Sequence, residues 1–372
     1  MQTFKAPIPS EPTEDLVVPK KAFLNYLHTY RAVITILVVA AHVWLDWPEG
    51  SPIALIIRII VENATVMFMF LAGFLFQYHS YKFRYKDYLA NKGQTVLLPY
   101  LLISVPIIFY RLYTHDYGGL ILRVYPDFGN YHAYQQVGLY FLHGSHMIQL
   151  WFIPVILIFY VCTPLWLKID RNPKWYYLLI VFFIVSLAIP RTDLTNIPQM
   201  FVHFIFPYLF GMFASHYQRR FLAFSKKYWQ PTGLLIVALL VLNFIYADKY
   251  FAPLNFIAKV LFCGYLLILM RKFEKLASQL VWKMGELSLG VYFTHYYFIL
   301  GIREGYPKLT GHEMPANLFY WFACAIVTIA LSFYAAMGLR RILGPKSPFV
   351  MGTRLDFQPK PIRKFAFNII KR

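Results

Sequence analysis

The chain has 372 residues, of which 59% are hydrophobic and only 14% are charged, and its formal net charge is +19. A soluble protein of this length could not bury so much apolar surface, whereas an integral membrane protein exposes it to lipid. The basic residues are spread between apolar stretches and form no long basic arm or nucleic-acid-binding motif, so the charge does not indicate a nucleic-acid partner.

Ten apolar stretches are long enough to cross a lipid bilayer. Backbone polar groups in lipid must be satisfied within one helix or a closed barrel, and these stretches are too long for barrel strands. The sequence therefore predicts an all-α integral membrane protein with about ten transmembrane helices. These lie near residues 28–47, 53–77, 94–113, 148–167, 175–190, 199–216, 231–247, 252–270, 285–302 and 316–338.

The positions of lysine and arginine predict the orientation. With the N-terminus in the cytoplasm, most of the 36 basic residues fall in cytoplasmic segments, which is the usual bias. We therefore expect a cytoplasmic segment over 1–22, a transmembrane domain over 23–338 and a basic cytoplasmic tail over 339–372. The longest outside loop, 114–147, contains four histidines but no cysteine or suitably spaced acidic partner, so we predict a solvated or substrate-facing loop and no metal site.

The first predicted helix contains Arg31 and His42, which are eleven positions apart. Eleven residues make three helical turns plus about 20°, so both side chains share one face and lie roughly 16 Å apart along the axis. Ionisable groups inside a membrane are costly and indicate function. An arginine binds phosphates through paired hydrogen bonds, and a histidine can act as a general base. The alternative is that Arg31 anchors the helix end and His42 bonds to a neighbouring helix.

Other charged residues also fall inside predicted helices. Arg58 and Glu62 are four positions apart, which predicts an ion pair within the helix. Glu62 is at a depth comparable to His42, so it either orients that histidine and stabilises its protonated form or only neutralises Arg58. His295 in the ninth predicted helix either lines the same cavity or bonds to a backbone carbonyl.

Several motifs resemble those of membrane-bound acyltransferase family 3, and they occur in the family's order over residues 23–338. The family's Arg-x10-His corresponds to Arg31 and His42. The remaining motifs are Ala72-Gly73 after a phenylalanine-rich run, Pro99-Tyr100, the Trp-Phe segment 149–166, Gly211-Met212, and Gly285 with Ser288, Tyr292 and His295.

This resemblance implies transfer of an acyl group, usually acetyl from acetyl-CoA, to a hydroxyl or amine of a cell-surface or secreted carbohydrate, in the plasma membrane of a bacterium. It implies His42 as the catalytic histidine and Arg31 as its partner on the donor side. Many members have Arg-x-x-Arg before the third helix, where this chain has Lys92 and Thr95. Lys92 and Arg84 are therefore candidates to bind CoA phosphates as point charges.

Aromatic residues supply the candidates for acceptor binding. Most of the phenylalanines and tyrosines are expected to contact lipid or the membrane interface. Tyr292 and Trp151, which lie inside the resembling motifs, are candidates to stack on a sugar ring.

Two other functions stay open at this point. The first is a transporter, although the paired glycine- or proline-broken helices of inverted repeats are not found in the sequence. The second is a non-catalytic subunit that works with other polysaccharide-synthesis proteins. An acyltransferase with His42, Glu62 and His295 in its catalytic site remains the preferred interpretation.

Overall fold

The computed structural model describes residues 20–191, 193–274 and 277–352, with the side chains of 20–24 and 82 left aside. All regular elements in these ranges are helices, which confirms the predicted all-α class. Most of the predicted N-terminal segment and residues 353–372 of the predicted tail lie outside the described residues.

The described residues form eighteen α-helices joined by short turns. These are α1 (Lys20–His42), α2 (Pro52–Val61), α3 (Ala64–His79), α4 (Tyr85–Lys92), α5 (Leu98–Thr114), α6 (Gly119–Val124), α7 (Ala133–His143), α8 (Phe152–Val161), α9 (Thr163–Arg171), α10 (Leu178–Ala188), α11 (Ile197–His216), α12 (Gln218–Lys227), α13 (Trp229–Ile245), α14 (Ala247–Lys272), α15 (Gln279–Glu286), α16 (Ser288–Thr310), α17 (Leu318–Leu343) and α18 (Ser347–Met351). A π-helical turn, Gly93–Leu97, joins α4 to α5.

Each of the ten predicted spans overlaps at least one of these helices. Within the described residues, five segments are long and apolar enough to cross a membrane, and up to seven are if each bent helix pair counts as one span. The bent pairs are α8 with α9, at 56°, and α12 with α13, at 72°. The structure therefore supports a membrane protein with several crossings. The count of ten and the cytoplasmic side of both termini stay predictions.

Helices α3 and α11 approach each other closely because each has a glycine at the crossing. A Cβ added at Gly73 would overlap the backbone carbonyl of Tyr208, and one at Gly211 would overlap that of Phe70. Small residues allow this close backbone approach between membrane helices. The glycines of two separate sequence motifs therefore meet at one crossing and fix the centre of the bundle.

Helix α1 lies inside the bundle and packs against α3, α14, α15 and α16. The contact with α15 is again made at a glycine, since a Cβ at Gly285 would overlap the carbonyl of His28. Buried apolar residues on α1, among them Ile34 and Val39, face these neighbours. This packing fixes the face of α1 that carries Arg31 and His42.

The second predicted span is broken at Glu62 and Asn63. Glu62 is extended, with φ −65° and ψ 155°, and Asn63 is left-handed, with φ 60°. Asparagine tolerates this conformation better than most residues, because its short polar side chain can bond locally. The helix therefore ends at Val61 and restarts at Ala64 without any glycine or proline at the break.

Two polar residues of α14 donate hydrogen bonds to carbonyl oxygens that lose their helical partners at the break. Asn255 donates its Nδ2 hydrogen to Ile59 O (2.9 Å), and its Oδ1 accepts from Asn63 Nδ2 (3.0 Å). The buried ammonium of Lys259 donates to Ile59 O (3.3 Å) and also to Ile60 O. A cation at the C-terminal end of a helix is favoured by the helix dipole. Lys259 thus stabilises the end of α2.

The first residues of the predicted tail belong to the bundle. Helix α17 continues to Leu343, past the predicted span end at 338, and α18 follows after a short 3-10 turn. Met351 of α18 is buried in a small apolar core with Val291 and Ala336. Gly352, directly after it, lines the cavity described below.

Candidate active site

A cavity of about 2090 Å³ lies within the helix bundle. Both halves of α1 line it, His28 and Arg31 from the first half and His42 from its last turn. We call the region around Arg31, Lys92 and Tyr160 the Arg31 end, and the region around Arg58, Glu62 and Arg191 the Glu62 end. The cavity therefore reaches both depths at which the sequence places ionisable groups on α1.

His42 is the last residue of α1 and has two hydrogen-bonding neighbours. Its Nδ1 lies 2.8 Å from Val38 O and 3.3 Å from Nε2 of His295. A carbonyl oxygen only accepts hydrogen bonds, so Nδ1 of His42 carries the hydrogen. In the neutral ring Nε2 then holds the lone pair, and it has no hydrogen-bond partner among the described residues. This is the atom that a general base requires.

His295 is fully buried next to His42, and the centroids of the two rings are 5.2 Å apart. Its own Nδ1 lies 3.1 Å from Val291 O, so Nδ1 is the protonated nitrogen and Nε2 is an acceptor. The Nδ1–H of His42 is therefore shared between Val38 O and His295 Nε2. Of the two alternatives considered for His295, the bond to a backbone carbonyl is present; His295 also contacts His42 but is not among the residues that line the cavity.

Glu62 forms the predicted ion pair with Arg58, with Nε and Oε2 2.7 Å apart. Its second oxygen lies 3.4 Å from Arg191, and both Glu62 and Arg191 line the cavity. The partners of His42 are Val38 and His295, so the structure does not bring the Glu62 carboxylate onto the histidine as the sequence suggested. Glu62 instead holds two guanidinium groups at its end of the cavity.

Arg191 is a cavity residue that sequence reasoning missed. It lies in the loop after α10, and the hydropathy and charge pattern of the sequence predicts only that it belongs to an outside loop. Its guanidinium is mostly buried, contacts Glu62, and lies 5.5 Å from the centroid of the Trp151 ring. It is also within electrostatic range of His42. No local pattern marks it, because a loop arginine becomes a site residue only through the tertiary fold.

At the Arg31 end, Arg31 and Lys92 line the cavity together with Tyr160. The Lys92 Nζ lies 4.7 Å from the centroid of the Tyr160 ring, which is also within electrostatic range of Arg31. Arg84 lies elsewhere. It pairs with Asp87 at 2.6 Å, its side chain is 84% exposed, and it does not line the cavity.

Tyr292 and Trp151 both line the cavity, and both side chains are mostly buried among neighbouring residues. The Tyr292 hydroxyl donates to Gln149 O (2.5 Å), and its ring lies 6.1 Å from that of His295. Trp151 is 4% exposed, stacks on Phe204 and has Arg191 over its ring. In this arrangement Tyr292 positions its neighbours, and Trp151 supports Arg191.

The histidines of the 114–147 loop bond separately. His143 contacts Tyr125 and Thr195 O, whereas buried His146 contacts Ser104 (2.7 Å). No group of three or more potential metal ligands occurs in the described part of the chain.

The fold and the cavity define a helical membrane protein with a buried histidine and arginines at both ends of one chamber. The family model for an acyltransferase domain matches residues 24–337. This chain therefore belongs to acyltransferase family 3, as the motif order predicted. No curated protein sequence and no solved structure matches the chain.

Proposed function

We propose that this protein transfers an acyl group, most simply acetyl, from acyl-CoA at the Arg31 end of the cavity to a carbohydrate hydroxyl reaching His42 from the Glu62 end. The observation that carries the proposal is the position of His42 in a cavity shared by both ends, with the lone pair of Nε2 unoccupied. Membership of the acyltransferase family supports the reaction class.

The reaction is a direct transfer. Nε2 of His42 takes the proton of the acceptor hydroxyl while the hydroxyl oxygen bonds to the thioester carbonyl carbon. The carbon–sulfur bond then breaks, and the proton on His42 passes to the CoA thiolate. The products are an acyl ester and CoA thiol, and His42 returns to its neutral form. While His42 is protonated, Val38 O and His295 Nε2 both accept from its Nδ1–H and stabilise the charge.

Arg31 and Lys92 are the proposed contacts for the phosphates of the donor. Arginine offers paired hydrogen bonds and lysine a mobile point charge, and both favour an anionic ligand. Arg84 is left out of this site because it is paired with Asp87 outside the cavity lining. The distance of about 16 Å along α1 between Arg31 and His42 matches a long, extended donor whose reactive end lies far from its phosphates.

The predicted topology gives the transfer a direction. With ten spans and both termini in the cytoplasm, the Arg31 end opens to the side where CoA is found and the Glu62 end to the outside. The carbohydrate acceptor would then be modified at the outer face of a bacterial plasma membrane. Glu62 acts in this scheme through Arg191 at the acceptor end, not directly on His42.

The test is a transfer assay with purified full-length protein, labelled acetyl-CoA and a carbohydrate acceptor, comparing wild type with His42→Ala. Loss of a general base should slow the transfer by about 10²–10⁴-fold. The exposed histidine variant His312→Ala is the matched control and should transfer normally. Normal transfer by His42→Ala at normal protein abundance would refute the proposed role of this residue.

A transporter would behave differently in the same experiment. It should release no CoA that depends on His42, and it should move the unmodified carbohydrate across a vesicle membrane. Measuring CoA thiol release and carbohydrate uptake in the same proteoliposomes separates the two functions.

A further inference from the structure

Gln149 is a buried amide with no hydrogen-bond partner for its side chain among the described residues. It lies in the turn before α8, is 1% exposed and lines the cavity. Neither Oε1 nor Nε2 has a partner, whereas its backbone oxygen accepts from Tyr292. Leaving both ends of a buried amide unpaired is costly, so such a group indicates a ligand or water in the cavity.

His203 on α11 has the same character. It is 2% exposed, lines the cavity, and its Nε2 has no partner among the described residues. Its Nδ1 lies 2.9 Å from Ile189 O and 3.1 Å from Ser186 O. Nδ1 is therefore the donor and Nε2 is an acceptor with a free lone pair. The two carbonyl contacts hold the ring in place.

Both groups belong to the region around His42 and Arg191. Gln149 is joined to His42 through Tyr292, which packs on His295, which in turn contacts His42. The ring of His203 lies 4.9 Å from that of Phe204, which stacks on Trp151, and the Arg191 guanidinium lies over the Trp151 ring. The two unpartnered groups thus line the same cavity as His42 and are each linked, through neighbouring residues, to the surroundings of His42 or Arg191.

We infer that Gln149 and His203 bind hydroxyl groups of the acceptor sugar and select it; this inference rests on the acyltransferase function proposed above. Each sugar hydroxyl is both donor and acceptor. The Gln149 amide offers one group of each kind, and the imidazole offers an acceptor. With His203 in its neutral form, neither side chain carries a charge, which fits an uncharged polyhydroxylated ring better than a phosphate. Both residues are positioned to fix which hydroxyl reaches Nε2 of His42.

The test measures binding without turnover. Full-length protein with His42→Ala, in lipid nanodiscs, is titrated with CoA and with the methyl glycosides of glucose, galactose, mannose and N-acetylglucosamine. Gln149→Leu and His203→Asn are added one at a time. Asparagine keeps a donor for the carbonyls of Ser186 and Ile189 but deletes the Nε2 acceptor. Ser145→Ala is the control, because Ser145 is a buried unpartnered hydroxyl that does not line the cavity.

Each of the two variants should weaken binding of the preferred glycoside roughly tenfold, as expected for one lost hydrogen bond. The affinity of both variants for CoA should be unchanged, and the Ser145→Ala control should bind the glycoside and CoA with unchanged affinity. Some deoxy glycosides should bind the His42→Ala protein less well than the complete glycoside does. To one of the two variants, such a deoxy glycoside and the complete glycoside should bind equally well. This signature would not arise from a general loss of structure.

Equal glycoside binding by the His42→Ala protein with and without each of the two further substitutions would overturn the inference, as would no saturable glycoside binding at all. A loss of CoA affinity instead would assign the two residues to the donor. Because binding is read in a protein that lacks His42, these outcomes are independent of whether His42 catalyses transfer.

Discussion

Replacing His295 with phenylalanine tests the shared hydrogen bond on His42. The exchange keeps a ring of similar size at a fully buried position but removes the Nε2 acceptor. Val38 O remains, at 2.8 Å from His42 Nδ1, while the lost partner is the more distant one at 3.3 Å. We therefore expect a slower reaction and not an inactive protein.

The magnitude follows from this geometry. A hydrogen bond to a charged group contributes about 1.5–3 kcal/mol, and a shared, longer bond belongs at the lower end of that range. Since about 1.4 kcal/mol corresponds to tenfold in rate, kcat should fall roughly tenfold. Removal of the base itself, in His42→Ala, should lower kcat far more, by about 10²–10⁴-fold.

The assay is steady-state acetyl transfer by purified protein, with kcat and the KM for acetyl-CoA measured separately. His295 acts through His42, so kcat should fall while this KM stays constant. His295→Gln retains an amide oxygen that can accept from His42 and should recover much of the rate. Thermal unfolding of each variant controls for folding.

Three results would refute this reasoning. If His295→Phe leaves kcat unchanged, the contact with His42 has no part in the reaction. If it lowers kcat as far as His42→Ala at equal thermal stability, His295 does more than support its neighbour. Equal rates for the phenylalanine and glutamine variants would show that the accepting atom is irrelevant.

The remaining predictions address the donor site and the fold. Arg31→Ala should weaken CoA binding by roughly 10–100-fold, as expected for lost charged hydrogen bonds, whereas Arg84→Ala should leave the CoA affinity unchanged. Calorimetric titration of both variants with CoA measures this difference. Equal CoA affinities would remove Arg31 from the donor site. Gly211→Ala should lower the free energy of unfolding by about 1–3 kcal/mol through overpacking at the α3–α11 crossing. In the control Gly138→Ala the added Cβ meets nothing within 4 Å, so the free energy of unfolding should not fall. Denaturation in detergent measures both variants, and equal stabilities would contradict the close approach of the two helices. Lys259→Met should cost about 1–3 kcal/mol by leaving carbonyls at the helix break without their ammonium partner, and an unchanged melting temperature would show that this contact contributes little.

The sequence predicted the helical class and the central pair well, for a simple reason. Helical spacing along one continuous segment is a local property, so eleven residues suffice to place Arg31 and His42 on one face. Both line the same cavity in the structure. The Arg58–Glu62 pair was predictable for the same reason, since four residues make about one turn.

Features that depend on contacts between distant segments could not be predicted. The break at Glu62 has no glycine or proline, and its stabilising partners come from α14, almost two hundred positions away. Arg191 is a loop residue whose contact with Glu62 forms only in the folded protein, so its local sequence does not predict it. Gln149 is recognisable only because its side-chain amide has no hydrogen-bond partner among the described residues once the fold is formed. The number of membrane crossings also depends on bends that hydropathy does not report.

The cavity has a further consequence for the membrane in which the protein resides. In the proposed function the chamber admits a donor from one side and an acceptor from the other, and such a chamber is also a path along which protons and metal cations could leak. Arg31 stands at one end of this path and Arg191 at the other, both lining it. A fixed guanidinium in a narrow pore repels cations, as in water-selective channels. In the proposed function the two arginines would therefore oppose the passage of cations while both substrates enter the chamber.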